Sequence, residues 1–245
     1  MKMKSKQSAS IIQLIIFNSF IFLFVGCQQK SSFEVEHFGA LRKVMKSNDL
    51  SADVDLRDFA NTSNFYAIGA LENLAGEITI INSEPYITTV RGEELDLHQN
   101  FEFGAAFLVS AQVKNWQSFE IPINIKTLDK LDAFIVNKAV EVGIDTTYAF
   151  PFKLEGMSDR FSWHVVHWDL LDSIHSHIKH VQSGLNGVWM DQVVEVIGFY
   201  SNKHHGIFTH HSSNMHMHVR TKNNEVIGHL DDLVLGANMK LYLPK

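Results

Sequence analysis

The segment that most restricts how this chain can fold is Met215-His216-Met217-His218-Val219, where apolar and imidazole side chains alternate without a break. In an extended strand alternate side chains share a face, so His216 and His218 project together while Met215, Met217 and Val219 enter a core on the other side. The next residues, Lys222-Asn223-Asn224-Glu225, have the composition of a hairpin turn, because asparagine tolerates positive φ. Pairing Lys222 with Glu225 fixes the register, and counting back along both strands sets His229 opposite His218, on the face that carries His216. Opposed Cβ atoms lie about 4.5–5.5 Å apart and diagonal ones about 7–8 Å. From there three imidazole nitrogens reach one metal ion at bond lengths near ~2.0–2.1 Å. His216, His218 and His229 are therefore the expected metal ligands. Three histidines with one open position is the pattern of a catalytic zinc site, although imidazoles also suit iron, copper or nickel.

Cys27 is the sole cysteine, so no intramolecular disulfide forms and the remaining metal donors are histidines and carboxylates. Lys2, Lys4 and Lys6 precede an apolar stretch from Ile11 to Val25, the charged and apolar regions of a secretory signal. That stretch is too short to span a bilayer comfortably. It ends in Leu23-Phe24-Val25-Gly26-Cys27, which resembles a bacterial lipobox and implies a lipid at Cys27, a membrane anchor and an exported protein at the periplasmic side of the outer membrane or the cell surface. The expected organisation is a signal peptide at 1–26, a polar tether at 27–34 and one folded domain at 35–245. Over 245 residues the formal charge is -6, with no basic run beyond the N-terminal end, which gives nucleic acid no electrostatic footprint.

Apolar spacing at Phe38, Leu41, Val44 and Met45 predicts one helix over Val35 to Ser47, stopped at Ser47-Asn48-Asp49. Short β-branched runs follow at Phe65 to Leu71, Glu77 to Ile81 and Tyr86 to Val90, the last two joined by Asn82-Ser83-Glu84-Pro85, and predict an antiparallel meander that continues through Phe101 to Val113. Ile121 to Ile125 is a further candidate strand. Leu128, Leu131, Phe134, Ile135 and Val140 predict a second helix ending near Gly143. Strands are expected over Tyr148 to Leu154 and Phe161 to His167. Leu170, Leu171, Ile174 and Ile178 predict a third helix closed at Ser183-Gly184, with strands from Val193 onward. The sum is a β-rich α+β fold, with antiparallel sheets or a partial barrel and about three helices. An exposed antiparallel edge would allow a homodimer.

Six of the fourteen histidines fall between His204 and His218. His175, His177 and His180 sit on the expected third helix, where only His177 and His180 could share a metal, and a solvated helix face is the plainer reading. His204, His205, His210 and His211 are expected in the loop before the ligand strand, where they could rim a pocket or support the ligands.

Gly198-Phe199-Tyr200, Gly206, His216-x-His218 and Gly228-His229-Leu230-Asp231 together resemble the C-terminal signature of the α-acetolactate decarboxylases. Ala67-Ile68-Gly69-Ala70-Leu71, Leu74-Ala75-Gly76-Glu77, Tyr86 and the Tyr148 to Gly156 segment extend the likeness across most of the mature chain. The resemblance implies decarboxylation of 2-acetolactate, a small anionic hydroxy-keto acid, to acetoin, with Zn2+ or another divalent transition metal as Lewis acid. It also implies that Glu77 stands at the pocket as a ligand or polar partner, and that Lys153 takes the place of the family's pocket arginine and steers the anion. Lysine keeps that charge but lacks the planar fork. The family's tail glutamate has no counterpart in a sequence that closes on Leu243-Pro244-Lys245, and residues His210 to Asn214 are an insertion before the ligand strand. Two other expectations stand beside this one: a metal-binding or small-ligand-binding lipoprotein without turnover, and a lyase for another β-keto or α-hydroxy acid.

Overall fold

The structure, a computed structural model, describes residues 33–245. The expected signal, Cys27 and most of the tether lie outside the described residues. In chain order the elements are β1 (Val35–Phe38), α1 (Leu41–Ser47), β2 (Val54–Asp55), β3 (Phe65–Leu71), β4 (Gly76–Ile81), β5 (Glu84–Arg91), β6 (Glu94–His98), β7 (Gly104–Gln112), β8 (Trp116–Glu120), α2 (Leu128–Glu141), β9 (Phe150–Val165), α3 (His177–Ser183), β10 (Leu185–Tyr200), β11 (Met215–Thr221), β12 (Ile227–Leu235) and β13 (Lys240–Pro244). Among the described residues this is a β-rich α+β fold of two antiparallel sheets.

The first sheet runs β1-β7-β3-β4-β5-β6, with β2 also on β7. Its meander forms where the β-branched runs predict it. Asn82 and Ser83, both at positive φ (51° and 70°), make the two-residue turn between β4 and β5, whose twist matches that of the flanking strands. The second sheet runs β10-β11-β12-β9-β13-β8, and β10 also pairs with β9, so that β10, β11, β12 and β9 close into a ring. One edge of β9 serves two partners, β13 along Lys153 to Glu155 and β12 along Ser158 to His164. Gly156 lies at the changeover with φ +146°, and a Cβ there would sit 2.7 Å from the Met239 Cα, so only glycine fits.

Three apolar clusters hold these layers. Leu131, Ile135 and Ala139 of α2 pack with Met215, Met217 and Val219 on one face of the ring. Ile68, Phe107 and Val109 of the first sheet pack with Ile197, Phe199 and Ile227 of the second. The opposite face of the first sheet is covered by Leu56, Phe65 and Ile78 among others. Both faces of β11 are thus buried, and the one that carries the histidines looks toward the first sheet.

Four expectations change. Val35 to Ser47 is not one helix: Val35–Phe38 pairs with β7, Gly39 turns at φ +67°, and the helix covers only Leu41–Ser47, ending at left-handed Asn48. The Phe38 and Leu41 spacing that suggested a helix straddles that turn. Ile121 to Ile125 is not a strand; β8 precedes it, and Ile125 N donates to Pro122 O in a turn. The two strands expected over Tyr148 to His167 are a single strand, β9. The third helix covers only His177–Ser183, capped where Ser176 accepts from Lys179 N. Ahead of it, Asp169 and Asp172 side chains accept from Leu171 N and Ile174 N. These local bonds turn the backbone out of helical geometry and leave Leu171 93% exposed.

Candidate metal centre

The hairpin brings the three expected ligands together. β11 and β12 pair His218 with His229, Val219 with Gly228 and Arg220 with Ile227. The turn closes at Thr221 and Val226, one step back along the strands from the expected Lys222–Glu225 pair, and Asn224 adopts φ +59°. The register is unchanged by that step. His216 Nε2 lies 3.2 Å from His229 Nδ1, and the ligand atoms of His216, His218 and His229 all lie within 4.8 Å of one another. Phe107 stacks on the His216 ring at 5.4 Å.

The first sheet completes the surroundings. Glu77 and Thr79, two apart on β4, share the face that meets β11. Glu77 Oε2 is 3.6 Å from His218 Nε2, and Thr79 Oγ1 is 2.8 Å from His218 Nδ1. With Nδ1–H donating to the threonine hydroxyl, the His218 Nε2 lone pair is free. That nitrogen and His216 Nδ1 are buried without a hydrogen-bond partner among the described residues. A buried, unpartnered ring nitrogen is costly unless an ion completes it.

Burial also sets the charge states. His218, fully enclosed, and His229 are held well below the usual imidazole range by burial, with neighbouring imidazoles adding to it. His216 is pushed down to about 3, first by burial and then by His164. These rings are neutral at physiological pH, the state in which imidazole binds metals. Burial raises the Glu77 carboxyl well above its ordinary range. The donor set fits one divalent transition ion: three neutral imidazoles, with a carboxyl group beside the free nitrogen.

His164 and Asp231 join the centre although the sequence singled out neither as a site residue. His164 lies opposite His229 on β9, with its ring centroid 4.8 Å away. Its Nδ1 is 3.0 Å from both Asp231 oxygens. Burial pushes the Asp231 carboxyl up, but hydrogen bonds from His164 and His177 outweigh that and hold it well below the usual carboxylate range. Thr79 had a sequence signal, being two residues beyond Glu77 on a strand. His164 had none, because its partner strand is distant in sequence.

Lys153 is on the same ring, with Ile197 of β10 between it and His218, roughly 10 Å of strand spacing from that histidine. Its ammonium is 2.8 Å from Glu155 Oε1 and 3.6 Å from Glu195 Oε1, over the Tyr242 ring at 4.9 Å. Glu195 is also bound by Arg220 at 2.6 Å. The structure gathers His216, His218, His229 and Glu77, and sets Lys153 in a neighbouring charged cluster. Of the remaining histidines, His175 Nδ1 meets His180 Nε2 at 2.8 Å beside Trp168, and His177 approaches Asp231 at 3.5 Å, so His177 and His180 do not converge.

No protein-family model matches the sequence, and no curated protein does. Solved structures do. The alpha-acetolactate decarboxylase of Bacillus subtilis strain 168 is 14% identical, with a TM-score of 0.66 over 86% of this chain and 85% of that one. The fold is that of the acetolactate decarboxylases. The acetolactate decarboxylase of Bacillus subtilis subspecies spizizenii agrees at 14% identity and TM-score 0.62, over 86% of each chain. A Staphylococcus aureus protein described as similar to alpha-acetolactate decarboxylase is 13% identical, with TM-score 0.64 over 86% of this chain and 84% of that one. At these identities the decarboxylase likeness is one of fold.

Proposed function

We propose that this chain is a metal-dependent carboxy-lyase that converts 2-acetolactate to acetoin and CO2. The observation that carries it is the triad of neutral imidazoles, two of them buried, with an unpartnered nitrogen 3.6 Å from the Glu77 carboxyl, on a fold shared with solved acetolactate decarboxylases. His216, His218 and His229 would hold the ion, zinc by preference for three imidazoles with an open position. When bound, the metal supplies a Lewis acid for the negative charge left as the bond to CO2 breaks.

The remaining steps fall to the protein. As CO2 leaves, the bonding electron pair delocalises onto the ketone oxygen, and the carbon then takes up a proton to give acetoin. Glu77, a buried carboxyl group 3.6 Å from His218 Nε2, is the group assigned to deliver it. Thr79 orients His218. Phe107, Ile197 and Phe199 keep water from the centre, which strengthens every charge interaction there. Lys153, held by Glu155 and Glu195, steers the anionic substrate from the neighbouring cluster. The expected lipid at Cys27 would tether this chemistry outside the cytoplasm.

The test is the mature protein mixed with 2-acetolactate. Acetoin forms in the presence of zinc, and stops with a chelator or with His218→Ala. Zinc retention without acetoin would favour the second expectation, a binding lipoprotein on the same scaffold. One observation speaks for that alternative: both nearest partners of the Lys153 ammonium are carboxylates.

A further inference from the structure

Two of the three ligands are enclosed, His218 fully buried and His216 5% exposed, while His229 is partly exposed. A divalent ion arrives from water with its hydration shell and must shed it to reach them. A row of donors leads outward from His229. Asp231 lies two residues beyond it on β12, with a side chain 15% exposed, and His177 of α3 is 3.5 Å from Asp231, with a side chain 50% exposed. The ligand atoms of His177, His229 and Asp231 lie within 4.8 Å of one another, a second three-donor group that shares His229 with the first. His210 stands next in line, 5.4 Å from the His177 ring and 3.9 Å from the ring of exposed His211.

We propose that His177 and Asp231 form a loading site at the mouth of the centre, where a divalent transition ion exchanges waters for protein donors before His229 passes it to His216 and His218. Sharing of one imidazole makes the two groups successive stations for the same ion. An acidic oxygen and an imidazole on an accessible edge suit a partly hydrated ion of this class. Stepwise exchange keeps the ion coordinated throughout, which lowers the barrier compared with shedding all its water at an apolar wall. The inference rests on the triad binding metal, as proposed above.

A station on the path speeds arrival and departure alike and leaves the equilibrium untouched, because it stabilises the barrier and not the end state. The experiment follows cobalt(II) uptake by the full chain stripped with chelator, read from its visible absorption in a stopped-flow instrument, and cobalt(II) release into excess chelator. His177→Ala slows both rates by about tenfold, the kinetic equivalent of ~1.4 kcal/mol of barrier, while the dissociation constant stays within about twofold. Asp231→Asn slows uptake in the same direction. His175→Ala, which alters a histidine outside the row, changes neither rate. Unchanged rates in His177→Ala with cobalt still bound would overturn the loading site alone. A fall in affinity through faster release would make His177 an ordinary ligand and also overturn it. Failure of the unmutated chain to bind cobalt would overturn the triad as well.

Discussion

Two histidine groups in this molecule have similar composition and different fates. His216, His218 and His229 lie on paired strands, where the ladder fixes which rings meet, and all three converge. His175 lies in the irregular segment before α3 and His177 and His180 on that short helix, and there two rings bond each other while the third reaches Asp231. Each group holds three histidines, and the second is the denser in sequence; ladder register is what separates them. The same contrast holds for their apolar neighbours, since Met217 is 3% exposed and Leu171 is 93% exposed.

That contrast breaks most readily through packing. Met217→Ala should cost about 2–5 kcal/mol of unfolding free energy, as buried methionine truncations do, whereas Leu171→Ala should stay within about 0.5 kcal/mol. Paired denaturant melts measure both, and equal losses would mean that the exposed segment is packed in solution. The next effect concerns the ligand itself. Thr79→Val removes the hydroxyl that accepts from His218 Nδ1, and zinc affinity should fall by about 10–100-fold, the usual cost of a missing orienting partner. Thr79→Ser should restore it, which separates the hydrogen bond from the packing.

A further effect is that of pH on the metal-free chain. His216 is depressed to about 3 and His180, by burial and then His175, to about 4. An unfolded chain takes up these protons near ~6.5, whereas the folded chain refuses them until its own lower values. Stability is therefore full above ~6.5 and declines as pH falls toward 3–4. Midpoints measured between pH 7 and 5 should fall, and a flat profile would mean that the rings are not enclosed.

Much of the centre was legible because a hairpin is local: Asn223 and Asn224 mark the turn, and period-two alternation gives the faces. The turn residue at Asn224, the meander and the second helix follow the same local rules. Most of what escaped was decided at long range. Val35–Phe38 became a strand because β7 offered an edge, and His164 joined the site through pairing of β9 with β12. Lys153 could be placed on a strand from its neighbours, yet its attachment to Glu195 depends on a partner strand that nothing near it in sequence announces. Around Leu170 and Leu171 the apolar spacing was helical, but Asp169 and Asp172 won the competition for the backbone.

X-ray absorption at the zinc edge, on the chain reconstituted with one equivalent of zinc, tests the central claim most directly. The expected first shell has about three imidazole nitrogens at ~2.0–2.1 Å, reduced by one nitrogen and weakly held in His218→Ala. A wild-type spectrum without an imidazole shell, or one that His218→Ala leaves unaltered, would contradict it.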